Sequence, residues 1–203
     1  MKRETSIRSL ALVASMAALG NLLGVASIAV GRIPTPGVSQ VALDFSSVPI
    51  VVMAIFFGWR LGSLTGLIAG IGPAIMFASN TGPITILLPV GKALTGFAIG
   101  VISQSFKSDR RQKSYFVLLA VWIGFIPEAI LTWFYFQNLV PLFVSGGSFW
   151  APALTVPVLI KAWFEMTIIG FITVALVGNE PFKIFLGKFV PTGRLLVPLR
   201  AHE

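Results

Sequence analysis

The sequence predicts an all-α integral membrane protein, a bundle of six transmembrane helices with both termini in the cytoplasm. Of its 203 residues, 56% are hydrophobic and only 11% are charged, whereas soluble domains contain about 45–50% apolar and about 25% charged residues. The stretch 61–91 carries no charge over thirty-one residues. A spanning helix needs about twenty, so this stretch alone holds more than one span.

The first apolar stretch, residues 9–30, follows Lys2, Arg3 and Arg8. A basic start before an apolar run also occurs in signal peptides, but this run is longer than a typical signal core and no small-residue cleavage site follows it. We therefore interpret it as the first span. Prolines and glycines then predict a loop over residues 31–40.

Turn residues and charges divide the remaining apolar sequence. Gly72-Pro73 interrupts the third span, and the cluster 79–83 separates it from the fourth. The predicted spans are 9–30, 44–59, 61–78, 84–106, 115–139 and 153–177, within one membrane domain, 1–180. Residues 181–203 contain three prolines and four basic residues, and we predict a cytoplasmic tail with at most one interfacial turn.

Basic residues are distributed unevenly over the two sides of this topology. Twelve of the fifteen lysines and arginines fall on the side of the termini, and only Arg32, Lys92 and Lys161 do not. By the positive-inside rule the termini are cytoplasmic and the chain is a multi-pass protein of the plasma membrane. Topology and contact with anionic lipid explain the net charge of +8 better than nucleic-acid binding does.

Two residue types needed for much enzyme chemistry are scarce. The chain has no cysteine, and its one histidine is His202 near the end. This excludes a thiolate metal site, a cysteine nucleophile and histidine-based catalysis. We expect no enzyme, no metal and no cofactor.

Four ionisable residues fall inside predicted spans: Lys92, Glu128, Lys161 and Glu165. A charge at the centre of a membrane helix costs at least about 2.5–3.5 kcal/mol. Counting 1.5 Å per residue, Lys92 and Lys161 each lie roughly 12 Å below the outer ends of their helices. Glu128 lies at a similar level, about 17 Å inside its helix, and Glu165 lies nearer the midplane. Two interpretations remain open: internal ion pairs, Lys161 with Glu165 and Lys92 with Glu128, or a polar pocket that binds a small molecule from outside.

Helical periodicity extends this candidate pocket upward with further polar and aromatic side chains. The candidate binding residues are Lys92, Thr95, Glu128, Thr132, Tyr135, Asn138, Lys161, Trp163 and Glu165. Trp133, Tyr135 and Trp163 offer surfaces for stacking on a heteroaromatic ligand. For Phe143, Phe149 and Trp150, an interfacial aromatic belt is an equal alternative.

Small residues four apart occur in the first span, as Ala14 and Ala18. Such spacing permits close helix contact, either inside the bundle or with another protein.

These features together resemble the substrate-binding S components of energy-coupling factor (ECF) vitamin transporters. The resemblance covers residues 9–177 and rests on the Ala-x-x-x-Ala helix, the proline-rich loop and the segment Leu43-Asp44-Phe45-Ser46-Ser47-Val48-Pro49. The riboflavin-type branch is most similar, through this Leu-Asp-Phe-x-x-x-Pro motif, Phe57-Gly58 with Gly62, Gly82-Pro83 and Leu159-Ile160-Lys161. Glu128 and Glu165 depart from the riboflavin pattern, so the substrate can differ.

The resemblance implies a protein that binds a vitamin or precursor from outside and docks, through Ala14 and Ala18, on a transmembrane coupling (T) subunit with two ATPases. The sequence itself has no phosphate-binding loop, because Gly91-Lys92 is followed by Ala93. Asp44 is either an N-terminal cap of the second helix or a lid contact to substrate.

Two other functions compete with this interpretation. A proton-coupled secondary transporter would use Glu128 and Glu165, although the chain is small and shows no internal repeat. An intramembrane enzyme would use the same two carboxylates as acid and base, without support from a histidine, cysteine or metal cluster.

Overall fold

The fold is built from apolar helices and one small β-hairpin. The computed structural model describes residues 2–30, 32–35, 38–106, 113–189 and 196–197. Its α-helices are α1 (Lys2–Val30), α2 (Ser47–Phe57), α3 (Trp59–Ala69), α4 (Ile71–Thr81), α5 (Leu87–Ser105), α6 (Ser114–Phe134), α7 (Val140–Phe143), α8 (Gly147–Gly178) and α9 (Glu180–Gly187). A 3₁₀ turn, Gly82–Ile86, precedes α5, and a π-helical turn, Tyr135–Leu139, joins α6 to α7.

The hairpin corrects the loop predicted over residues 31–40. Strand β1 (Arg32–Thr35) pairs antiparallel with β2 (Val38–Ala42), with Ile33 opposite Val41. Both strands are rich in β-branched residues, which favour extended backbone. The prolines and glycines of residues 31–40 predicted a loop, and this prediction missed both strands.

Five segments of the described chain are long and apolar enough to cross a membrane. They are Ile7–Ser27, Trp59–Ala78, Ile84–Ser105, Ser114–Phe143 and Gly147–Gly178. The last begins at Gly147 rather than at the predicted residue 153, since Pro152 lies inside the helix. Membrane helices tolerate such prolines when neighbouring groups satisfy the freed carbonyls.

Helix α2 lies at the centre of the bundle. It has eleven residues, about 16 Å at 1.5 Å per residue, which is half the thickness of a hydrocarbon core. Every residue from 49 to 57 is buried, and α1, α3, α5 and α8 pack around the helix. A helix that is apolar on all sides needs protein rather than water around it. This accounts for its position inside the bundle.

The two ends of α2 contact different parts of the molecule. The hairpin and Asp44 precede its N-terminus, while Leu196 N donates to Phe56 O at its C-terminus over 2.8 Å. The Phe182 ring meets the Phe56 ring edge-on at 5.7 Å. The described part of the predicted tail therefore packs against the bundle, with α9 capped by Asn179, whose side chain accepts from Phe182 N at 2.9 Å.

Helices α3 and α5 approach each other through glycines. A Cβ atom added to Gly66 would lie 2.3 Å from the backbone oxygen of Lys92, and one added to Gly96 would lie 2.3 Å from that of Gly62. Only glycine allows backbones to come this close. The contact fixes the backbone of α5 at Lys92 against α3.

Candidate functional site

Lys92 is the centre of a buried group of charges. Its side chain on α5 is only 10% exposed, and its Nζ lies 2.9 Å from Asp44 Oδ2 and 3.9 Å from Glu128 Oε1. The same ammonium donates to Ser47 Oγ at 2.6 Å. Because removing a charge from water is costly, a buried lysine needs such acceptors around it. One side chain thus ties α5 to α6 and to the start of α2.

A second ion pair joins this group from α8. Lys161 Nζ lies 3.1 Å from Glu165 Oε1, one helical turn away. The same oxygen also accepts a hydrogen bond from Asp44 N. We call Asp44, Lys92, Glu128, Lys161 and Glu165 the charged cluster. Both pairings expected from the sequence occur in it, and Asp44 connects them.

Asp44 lies three residues before α2 and is held on both sides. The N-cap of α2 is Ser46, so the predicted N-cap role of Asp44 is wrong. Its Oδ1 accepts from Ser46 N at 2.9 Å, while its Oδ2 faces Lys92. The next residue, Phe45, donates its N–H to Ser27 Oγ of α1 at 3.2 Å. Sequence reasoning offered a helix cap or a lid contact for Asp44 and missed Ser27 and Ser47, whose hydroxyl groups carried no distinguishing signal.

The polar stripe predicted on α6 divides into two environments. Glu128 Oε2 accepts from the hydroxyl of the fully buried Thr95, and Thr132 follows, half-buried, one turn along. Tyr135 is buried in the π-helical turn, with its ring 5.3 Å from that of Phe136. Asn138 is exposed and donates to Phe134 O within its own helix at 3.3 Å. The π-helical turn changes the register, so the stripe does not continue as a regular helix would place it.

Trp163 belongs to an apolar groove between α6 and α8. It meets Trp122 and Phe125 edge-on, with ring centroids 5.9 and 5.3 Å apart. The groove has a volume of about 250 Å³ and is lined by Ile126, Ala129, Ile130, Trp133, Leu159 and Trp163. Trp163 is two positions from both Lys161 and Glu165, so it points to roughly the opposite side of α8. The tryptophans predicted to stack on a ligand therefore line this groove.

Comparison with known families identifies the chain. A family model described as the substrate-specific component of ECF transporters matches residues 8–177. The chain belongs to this family. No curated protein and no solved structure matches it. As an ECF substrate-specific component, or S component, it is a membrane transport protein rather than an enzyme, and the family implies a substrate and docking with T and ATPase subunits.

Helix α1 of this S component has two distinct faces. Gly20 and Gly24 are buried, and a Cβ atom added to them would lie 2.8 Å from Ala69 Cβ and 3.1 Å from Pro73 Cγ, respectively. Ala14 and Ala18 are exposed on the other side. The glycines thus make the internal helix contact, and the two alanines are left on the surface.

The charged cluster contains both donors and acceptors, which pair with one another. Two ammonium groups and three carboxylates come from α5, α6, α8 and the segment before α2. Within the described residues, no group of three histidine, cysteine or acidic side chains is arranged to hold a metal ion. The cluster's chemistry is that of hydrogen bonds and ion pairs in a site shielded from water.

Proposed function

We propose that this S component binds a vitamin or vitamin precursor from outside the cell and delivers it to a T subunit coupled to two ATPases. The charged cluster carries this proposal. Five ionisable groups inside a membrane bundle are costly, and intramembrane charges usually mark a substrate or ion pathway. Internal pairing lowers that cost in the resting protein, and a ligand with matching polar groups can exchange with the pairs.

The substrate that we propose is a planar heteroaromatic molecule of modest size, with riboflavin as the first to test. Charges of both signs suit a neutral or zwitterionic solute with several hydrogen-bonding groups better than a polyanion, which favours arginine clusters. The proposed contacts are Lys92, Thr95, Glu128, Lys161 and Glu165 in the cluster, with Thr132, Tyr135 and Asn138 above it. Trp163, also predicted as a contact, lines the apolar groove instead. The hairpin and Asp44 form the proposed lid.

The proposed topology has six spans in the plasma membrane, with both termini cytoplasmic. Helix α2 is the second of these spans; its eleven residues cover only about half of the hydrocarbon core, and α1, α3, α5 and α8 surround it rather than lipid. The uneven distribution of lysine and arginine supports this orientation. In it the hairpin lies towards the outside and the packed C-terminal segment lies towards the cytoplasm.

The proposed docking surface for the T subunit is the exposed face of α1 at Ala14 and Ala18. Small side chains let a partner helix approach closely in a bilayer. The internal contact of α1 uses other residues, Gly20 and Gly24 among them.

Mass spectrometry of the small molecules released from the purified protein tests the substrate. Titration with riboflavin follows, with flavin fluorescence and calorimetry as readouts, and then thiamine, folate, pantothenate and queuosine precursors. We expect saturable binding of an aromatic compound that Lys161→Met weakens at least tenfold and the exposed control Lys113→Met leaves unchanged. Binding of none of these compounds would contradict the proposed substrate class, and equal affinities of the two variants would remove Lys161 from the site.

A further inference from the structure

The side chain of Asn21 on α1 is inserted into the backbone of another helix. Asn21 Nδ2 donates to Ile68 O at 3.1 Å, and Gly72 N donates to Asn21 Oδ1 at 2.7 Å. In a continuous α-helix the N–H of residue 72 would bond directly to the carbonyl of residue 68. The amide group of Asn21 therefore replaces one backbone hydrogen bond at the junction of α3 and α4.

The local sequence is suited to this insertion. A Cβ atom added to Gly72 would lie 2.6 Å from Asn21 Oδ1, so a larger residue would displace the amide. Pro73, the next residue, has no N–H to contribute to the ladder. Insertion of a side chain between a helical donor and its acceptor is a recognised cause of kinks, and the helix is interrupted here at Gly70.

The junction has two hydrogen-bonded arrangements available. With Asn21 inserted, Gly72 N and Ile68 O are both satisfied by the amide. With Asn21 withdrawn, Gly72 N could bond directly to Ile68 O, as in a continuous α-helix. Both backbone groups would then be paired in either arrangement, and the bilayer interior requires such pairing.

Asn21 lies beside the exposed face of α1. It is three residues from Ala18, which makes the two side chains neighbours on the helix surface. It is also half-buried, between the exposed alanines and the buried Gly20 and Gly24. A partner helix packed on Ala18 would contact the helical turn that carries Asn21.

The other side of the junction is connected to the charged cluster. Gly66 of α3, one turn before the junction, lies against the backbone of Lys92. Any displacement of α3 is therefore transmitted to the α5 backbone that positions the Lys92 ammonium.

We propose that Asn21 is a positioning residue that couples docking on α1 to the geometry of the charged cluster. Docking shifts the amide out of the junction, the helix from α3 to α4 straightens, and the movement of α3 displaces Lys92 from Asp44 and Glu128. The inference rests on the proposed function for its docking step, whereas the state of the junction is a property of the S component alone.

Spin-label distances test the effect of docking on the junction and the role of Asn21 in it. The chain has no cysteine, so single cysteines at the exposed Ile75 on α4 and Ile160 on α8 can carry the labels. We expect the label distance in the wild-type sequence to shift when the S component assembles with its T subunit and ATPases. Asn21→Leu, which keeps the size and removes the amide, should give the assembled distance in the S component alone. The control Ser105→Ala, whose hydroxyl group bonds to Val101 O within its own helix, should behave as the wild type does.

Two results would overturn the proposal. One is a label distance in the isolated Asn21→Leu protein equal to that of the isolated wild type; the other is a wild-type distance unchanged by assembly. If Asn21→Leu fails to fold, Asn21→Asp keeps the acceptor for Gly72 N and loses the donor to Ile68 O, and a partial shift is expected from it. Complex formation by Ala18→Trp would refute the docking surface separately, without bearing on the distance in the isolated protein.

Discussion

Lys92 Nζ and Asp44 Oδ2 lie 2.9 Å apart, although 48 residues separate them in the chain. The contact joins the middle of the bundle to the segment that leads from the hairpin into α2. Glu165 reaches the same segment through Asp44 N. The proposed lid and the three helices that supply the charged cluster are thus held together through one aspartate.

Removing the Lys92 ammonium should destabilise the fold strongly. Lys92→Met leaves the carboxylates of Asp44 and Glu128 buried without their cation, and loss of one partner of a buried ion pair costs about 3–5 kcal/mol. We expect a large fall in the melting temperature of the detergent-purified protein. Lys113→Met, at an exposed lysine, is the control and should melt near the wild-type temperature.

Neutralising the partner should restore part of this loss. In the double variant Lys92→Met with Asp44→Asn, one uncompensated carboxylate is gone, so its melting temperature should lie above that of Lys92→Met alone. If Lys92→Met and Lys113→Met have the same melting temperature, the ion pair contributes nothing to the stability of the fold.

A methyl group at Gly66 should separate α3 from α5. The added Cβ would lie 2.3 Å from Lys92 O, and overpacking typically costs about 1–3 kcal/mol. Gly66→Ala should therefore lower the melting temperature and weaken ligand binding together. Gly178→Ala is the matched control because a Cβ there meets nothing within 4 Å. Equal behaviour of the two variants would refute the close contact.

A bulky residue on the exposed face of α1 should block assembly without affecting the ligand. Ala18→Trp or Ala14→Trp widens the helix contact on which close packing depends. We expect loss of co-purification with the T subunit and ligand affinity within twofold of the wild type. Ala153→Trp, at an exposed alanine of α8, should assemble normally. Full complex yield from both α1 variants would exclude this face as the docking surface.

Labelling of introduced cysteines should report the orientation in the membrane. Ser148 is exposed at the N-terminus of α8, and Ser114 is exposed at the N-terminus of α6. The proposed topology puts these two helix ends on opposite sides of the membrane. A membrane-impermeant maleimide should label Ser148→Cys in intact cells and Ser114→Cys only after lysis. The reverse pattern would place the termini outside and contradict the proposed topology.

Local patterns in the sequence were sufficient for some of this structure. The pairing of Lys161 with Glu165 follows from their i, i+4 spacing, and the apolar runs gave the five long segments. The pairing of Lys92 with Asp44 could not be derived in this way, since it depends on how α2 sits between the other helices.

Other features depend on tertiary contacts that periodicity does not contain. Gly72-Pro73 predicted an interruption of the third span, and the helix is interrupted at Gly70. The Asn21 amide that bonds to Ile68 and Gly72 comes from a different helix, which the sequence pattern does not contain. Tyr135 and Asn138 fall in a π-helical turn, so a regular stripe placed them together where the structure separates them. Trp163 was predicted to share a pocket with Lys161, but it points to the other side of α8 and lines the apolar groove.

Uptake into proteoliposomes distinguishes an ATP-driven importer from a secondary transporter. The purified S component is reconstituted alone or together with its T subunit and ATPases. The small molecule identified by mass spectrometry is added on the side of the membrane opposite the ATPases, and ATP is added on the side of the ATPases. We predict ATP-dependent accumulation by the full complex and none by the S component alone. Accumulation by the S component alone, driven by a proton gradient, would contradict the account and favour a secondary transporter.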